Sequence, residues 1–437
     1  MQGSSSTIVS TAFNIEKFSR LENVILIFMV FCVLLPSGPQ YLFTGLLFLN
    51  FIFRKRWRGF SLLDGEGTYL FFGVLALFCS TWLVAFLQYF IDGTHSFLQV
   101  LSANWHLTGK LCTRGILIYW FFKSAYQRGW RLDIVLPYLL FFLLLCDAYG
   151  LLQMITGVDI THGLYSKLPP NRFNYGLYRV SGATGHPVTL GYSTLLLGLT
   201  LVYLWLGSEV GTRRRQLTSY CLFSTCLLLL LTQTRWAVLV LVFCGLCFFI
   251  SELKRGAAAG KKAFGKAWKW LLGLTVCLVL SSGLVGRFTE LLDSRPLVEK
   301  IPRLTFWKVH WGAFLDNPLI GLGIVNRKDG IMDYYNLSGY NYLGKKYNAH
   351  NVFLQWLADS GVLGSLGLIA LLVGVSMAAS KVGQERSSPC WIFVVGTLLA
   401  GLLQNTFRDS EFVFAFWVCL SIILLDARFR SKPNHCR

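Results

Sequence analysis

NVFLQWLADSGVLGSLGLIALLVGVSMAA, residues 351–379, contains one carboxylate, Asp359, and no lysine or arginine. A helix needs about 20 apolar residues to cross a hydrocarbon layer of roughly 30 Å, and this run is longer than that. It is also too long for a buried strand, so it predicts a transmembrane helix. Similar runs lie at 20–36, 40–54, 68–91, 107–123, 133–156, 187–207, 216–233, 235–252, 269–286, 389–406 and 411–427. They are continuous apolar stretches without the short alternating pattern of barrel strands, which favours helices. The chain reads as an all-α, polytopic membrane protein of about twelve transmembrane helices.

Composition agrees. Of 437 residues 54% are hydrophobic and 14% charged, and the mean hydropathy is +0.54. A soluble protein of this length needs more polar surface than that. No hydrophilic half stands apart, so residues 1–437 read as one membrane domain. The polar, Ser/Thr-rich start is followed by two apolar runs joined at Pro36-Ser37-Gly38-Pro39. That pattern is a hairpin without a convincing cleavage site, and the first run is expected to stay in the protein. Most of the twelve cysteines fall inside apolar runs and read as small hydrophobes. Cys244 and Cys247 have CxxC spacing, but in the middle of a helix in lipid.

Basic residues orient the helices. Arg54 to Arg58, Lys123, Arg128, Arg131, Arg213 to Arg215, Lys254 to Lys269, Arg428 and Arg430 all fall on one side, taken as cytoplasmic. The short connections near 37–39 and 92–106 carry neither Lys nor Arg. Two longer outer segments are basic nonetheless. The first, 157–186, holds Lys167, Arg172 and Arg179; the second, 287–350, holds Arg287, Arg295, Lys300, Arg303, Lys308, Arg327, Lys328, Lys345 and Lys346. An anionic ligand accounts for this charge, as does attraction to lipid headgroups. Within the large loop Leu304, Trp307, Trp311 and Leu315 recur at helical spacing and predict an amphipathic helix over Pro302–Leu315. Pro318-Leu319-Ile320-Gly321-Leu322-Gly323 then forms a turn too glycine-rich to continue it.

Chemistry concentrates at the outer helix ends. His350 and Asn351 stand at the mouth of the 351–379 span, where a neutral imidazole can accept a proton; such a histidine can also simply cap or pack. Gly361 and Gly364 lie deeper, where small residues let backbones approach. Asp359 lies about two turns below His350. Arg235 is squeezed between two apolar runs, which is costly unless it faces a polar cavity or a partner. Its guanidinium suits phosphate oxygens, although a structural carboxylate partner is equally admissible. Arg179 precedes a flexible turn at Ser181–Pro187, and Arg303 starts the loop helix. Arg408 is expected to pair locally with Asp409 and Glu411, His310 to be a surface histidine, and Asp147 to act as a counter-ion within its span. No Walker loop, HExxH, GxSxG or zinc-type cysteine array is present, so nucleotide-driven transport and metal hydrolysis lack motif support. No metal, cofactor or nucleic-acid site is expected.

Four stretches in order carry a resemblance: Arg179-Val180-Ser181-Gly182 through His186-Pro187; Thr232-Gln233-Thr234-Arg235; Arg303 through Asp316-Asn317-Pro318-Leu319-Ile320-Gly321-Leu322-Gly323; and His350-Asn351 with Gly361 and Gly364. Together, over about 175–375, the chain resembles the O-antigen ligase family of bacterial polysaccharide enzymes, which shares a domain with O-antigen and exopolysaccharide polymerases. Thr234 and Trp236 depart from the Ser-Arg-Gly of many relatives and leave the arginine in place. The resemblance implies a twelve-helix protein of the bacterial inner membrane with a large periplasmic loop, 287–350. It implies inverting, metal-independent transfer of a glycan from an undecaprenyl-pyrophosphate carrier to the lipid A–core oligosaccharide. His350 would be the catalytic base, Arg179, Arg235 and Arg303 the pyrophosphate ligands, and Asn351 and Asp359 supporting groups. A polymerase joining lipid-linked repeats and a transporter of lipid-linked sugar are the alternatives.

Overall fold

The structure, a computed structural model, describes residues 20–53, 63–92, 96–162, 166–168, 173–174, 177–209, 211–254, 302–323, 327–340, 348–382 and 384–430. The expected span at 269–286 lies outside the described residues, as do Arg54 to Arg58, Arg172, Arg287, Arg295, Lys300, Lys345 and Lys346. Fourteen α-helices are described: α1 (Arg20–Phe31), α2 (Ser37–Phe53), α3 (Glu66–Asp92), α4 (Phe97–Thr108), α5 (Arg114–Gln127), α6 (Leu136–Thr156), α7 (Pro187–Leu206), α8 (Arg213–Leu231), α9 (Arg235–Lys254), α10 (Pro302–Asp316), α11 (Arg327–Leu337), α12 (Val352–Lys381), α13 (Gln384–Leu402) and α14 (Ser410–Arg430). A two-stranded antiparallel ribbon pairs β1 (Phe173–Asn174) with β2 (Leu177–Tyr178).

Five of these helices are long and apolar enough to cross a membrane: Glu66–Ile91, Leu136–Thr156, Pro187–Leu206, Val352–Lys381 and Ser410–Phe429. Arg235–Phe248 and Cys390–Leu402 are shorter apolar helices. The first expected run is interrupted, because α1 gives way to a 3-10 turn at Cys32–Leu34 ahead of Pro36. The fourth is spread over α4, a π-turn at Gly109–Thr113, and α5.

The helix α14 occupies the centre. Phe412 to Leu425 are buried with few gaps, and α14 packs on α5 and α7. A helix apolar all round belongs inside such a bundle. The helices α3 and α6 instead expose Phe72, Leu83 and Phe90, and Phe141, Leu144 and Ile155, respectively, an apolar outer surface suited to lipid. The broadest packing is α12 on α3. At Gly374 a Cβ would lie 2.5 Å from the Tyr69 carbonyl oxygen, so a small residue sets the helix separation.

Helix α12 breaks at Gly361, whose φ of 60° and ψ of −163° are reserved for glycine. The Pro318–Gly323 turn restores the interrupted bonding. Leu322 N donates to Ala358 O (2.8 Å) and Gly323 N to Asp359 O (3.1 Å), while Val362 N donates to Pro318 O (2.8 Å) and Leu363 N to Leu319 O (3.1 Å). Inside a bilayer those backbone groups have no water to turn to. The two glycine-rich motifs are therefore halves of one joint.

The loop helix α10 corrects an expectation. Its buried face is Phe306, Val309 and Ala313, packed with Ile331 and Tyr335 of α11, whereas Leu304, Trp311 and Leu315 are exposed. Both faces are apolar, so periodicity found a real stripe and could not say which one turns inward. His310 is likewise fully buried rather than on the surface, with Nδ1 2.7 Å from the Phe306 carbonyl.

At the end of the bundle where α14 finishes, the charges are paired. Arg428 bonds Glu66 (2.9 Å), Arg128 bonds Glu22 (2.9 Å) and Arg214 bonds Asp133 (2.7 Å). Within the bundle Asp147 accepts a hydrogen bond from the Ser224 hydroxyl, a neutral partner where a cation was expected. All the described cysteines are free.

Candidate active site

The turn before α12 is built around one strained histidine. His350 has φ of 50°, a left-handed conformation in which histidine is tolerated better than most residues. Neighbours hold it from every side. His350 N donates to Asn348 Oδ1 (2.9 Å), Ala349 N to Gln355 Oε1 (2.7 Å), and Trp307 Nε1 of α10 to Ala349 O (3.0 Å). The half-buried imidazole lies 5.8 Å from the Phe306 ring, centroid to centroid, and its Nδ1 is 2.9 Å from Gln404 Oε1.

Asn351 is the N-cap of α12, its Oδ1 accepting from Phe353 N (3.0 Å) and Leu354 N (3.1 Å). Asp359 is buried and is linked to the histidine turn through Gln355. It accepts from Gln355 Nε2 (2.9 Å) and forms an ion pair with Arg408. That pair corrects the expected local pairing of Arg408 with Asp409 and Glu411. Both of those carboxylates are engaged at the start of α14: Asp409 accepts from Glu411 N (3.0 Å) and from the Thr189 hydroxyl, and Glu411 accepts from Ser37 N (3.1 Å). Burial, then the hydrogen bond with Glu411, pushes the Asp409 carboxyl up to about 7.

The arginine-bearing segments meet at this same end. Val180 N donates to Leu231 O (3.2 Å) and Arg179 Nε to Thr232 O (3.4 Å), so Arg179 lies against the turn that leads into Arg235. The turn is anchored to α7 by Thr234 Oγ1, which donates to Pro187 O (3.2 Å), and to α13 by Trp236 Nε1, which donates to Leu399 O (2.7 Å). The same end of α13 leads to Gln404, and Gln404 to His350. Arg303 is exposed on the first turn of α10, and its charge acts on the Tyr192 hydroxyl of α7. The N-termini of α7, α9, α12 and α14 thus open together. Their peptide dipoles add to the guanidinium charge and favour an anion there. Among the described residues no cluster of His, Cys, Asp or Glu is suited to a metal ion.

Residues 220–369 match the profile of the O-antigen ligase family (Wzy_C). The match covers 150 of the 437 residues, so this stretch carries the domain of that family. No curated protein matches the chain. The matched domain indicates ligase- or polymerase-type function in O-antigen assembly, and together with the membrane-length helices it points to a bacterial membrane protein. Substrates of the family are in general lipid-linked glycan and lipid A–core.

The matched stretch runs from α8 into α12. It takes in Arg235, Arg303, His350, Asn351 and Asp359; Arg179, Gln404 and Arg408 lie outside it. Sequence reasoning missed three glutamines. Gln404 contacts the imidazole, and Gln355 links Asp359 to Ala349. Gln153 of α6 clamps the turn after Arg179, accepting from Gly182 N (2.9 Å) and donating to Gly182 O (3.3 Å). The available signal was an amide inside an apolar run, where burial is costly unless the amide is hydrogen-bonded.

Proposed function

We propose that the protein is an O-antigen ligase, transferring a glycan from an undecaprenyl-pyrophosphate carrier to the lipid A–core oligosaccharide at the periplasmic face of the inner membrane. The reading rests on one observation above the others. A half-buried imidazole and the segments carrying Arg179, Arg235 and Arg303 share one end of the helix bundle.

His350 takes the proton from an acceptor sugar hydroxyl as that oxygen attacks the anomeric carbon. The bond from that carbon to the pyrophosphate oxygen breaks, with inversion. Undecaprenyl pyrophosphate leaves with the negative charge that the arginines stabilise, the task a metal performs in many soluble glycosyltransferases. The imidazolium then returns its proton to water. The basic outer segments and the opened helix N-termini suit a diphosphate on that side. The twelve-span topology, with 287–350 as the periplasmic loop and 175–375 as the catalytic region, belongs to the same reading.

The test is purified protein given lipid-linked glycan and rough lipopolysaccharide. Joined lipopolysaccharide product from the native chain, absent with His350→Ala at equal expression, supports the ligase. Longer lipid-linked chains identify a polymerase. Transbilayer movement of the carrier without either product identifies a transporter. Full activity of His350→Ala removes the assigned base.

A further inference from the structure

We infer that Gln404, outside the matched domain, is the positioning residue that gives His350 the tautomer needed for proton abstraction. The inference rests on the reading of His350 as the base, and it adds a residue that reading does not contain.

A neutral imidazole carries one N–H and one bare nitrogen. The atom facing Nδ1 is Gln404 Oε1 at 2.9 Å, and a carboxamide oxygen only accepts. Nδ1 therefore carries the hydrogen and Nε2 the lone pair, which is the tautomer a proton acceptor at Nε2 needs. In the other tautomer two lone pairs would face each other.

Gln404 lies on a segment braced at both ends. It comes two residues after α13 ends at Leu402, with Trp236 bonded to Leu399 O before it and the Arg408–Asp359 ion pair after it. One short turn, Leu403–Arg408, thus orients the imidazole through Gln404 and, through Arg408, Asp359 and Gln355, steadies the Ala349 peptide beside it. The choice of an amide has a chemical consequence. A carboxylate at the same place would stabilise the imidazolium, trapping the proton after abstraction and raising the pH at which the base becomes free. A neutral acceptor orients the ring without that penalty.

Three variants test this in the transfer assay, with His350→Ala as reference. Gln404→Leu removes the acceptor and is expected to lower kcat by about 10²-fold, the lower range for general-base assistance, with KM for the lipid-linked donor within about twofold. Gln404→Glu keeps an acceptor oxygen at the same reach. It is expected to retain activity while moving the acidic limb of the kcat–pH profile up by about one unit, the lower range for a neighbouring opposite charge. Gln404→Asn, too short to reach, should behave as Gln404→Leu. Monodisperse elution in detergent and unchanged donor binding exclude loss of fold as the cause. An active Gln404→Leu protein, or a Gln404→Glu profile that does not move, overturns the role of Gln404 provided His350→Ala is dead. If His350→Ala is active, the base assignment itself has failed.

Discussion

Arg408, in the turn between α13 and α14, closes an ion pair with Asp359 inside α12, where the carboxylate is 1% exposed. The turn and the kinked helix are joined by this charge pair next to the His350 turn. Removing one partner leaves the other buried and uncompensated, which typically costs about 3–5 kcal/mol. Arg408→Met is therefore expected to destabilise strongly in a detergent melt. Asp359→Asn should be milder than Arg408→Met, since an amide oxygen can still accept from Gln355. Pairing Arg408→Met with Asp359→Leu should restore most of the loss, because neither charge remains. A double variant as unstable as Arg408→Met alone would mean that the ion pair is not what the turn depends on.

The break in α12 makes a second demand. A Cβ on Gly361 would run into the Leu319 carbonyl, and one on Gly321 would lie 2.5 Å from Ser360 N. Both glycines have positive φ. Gly361→Ala and Gly321→Ala are each expected to cost about 3 kcal/mol or more, strain and overpacking together. Gly245 in α9 has open space where its Cβ would go, so Gly245→Ala should be neutral or slightly stabilising. Comparing the three melts separates the joint from a general intolerance of alanine.

What was legible in the sequence was what hydrophobic length and glycine chemistry dictate. The run at 351–379 read as a membrane-crossing helix because so few polar atoms interrupt it, and the structure has α12 there. Pro318–Gly323 read as a turn, but nothing local revealed that its backbone completes the hydrogen bonds of α12, because that pairing is tertiary. The facing of α10 was illegible for a different reason: both of its sides are apolar. Arg408 was misassigned because sequence proximity to Asp409 and Glu411 says nothing about which carboxylate the backbone has already engaged as a cap. Gln404 lies 54 residues from His350, and an amide advertises no chemistry until its partner is seen.

Arg179 and Arg235 are separable from other cations by geometry rather than charge. Lysine keeps the charge and loses the two-pronged donor. Arg179→Lys and Arg235→Lys are expected to lower kcat/KM for the pyrophosphate-linked donor by about 10²-fold, the scale of one lost transition-state donor, with unchanged melting temperatures. Lys308, exposed on α10, serves as the control, and Lys308→Ala should leave kcat/KM within about twofold. Equal losses at all three positions would point to diffuse attraction for anionic lipid in place of a diphosphate site.

Asp409 makes stability depend on pH in a direction that can be worked out in advance. Its carboxyl is raised from the ordinary 3.8 to about 7, first by burial. Between those values the folded protein keeps a proton that the unfolded chain has released. Stability from this group is therefore complete below about pH 4, falls as pH rises through 7, and is flat beyond it. Asp409→Asn fixes the neutral form; its one oxygen can still accept from Glu411 N, and its NH2 group, in place of the oxygen that now accepts from the Thr189 hydroxyl, can donate to that hydroxyl. The melting-temperature difference between Asp409→Asn and the native chain should be near zero at pH 4, grow in favour of the variant up to pH 7, and level off by pH 8. A difference that stays constant across that range would show that Asp409 titrates as an ordinary carboxylate, ionised in both states.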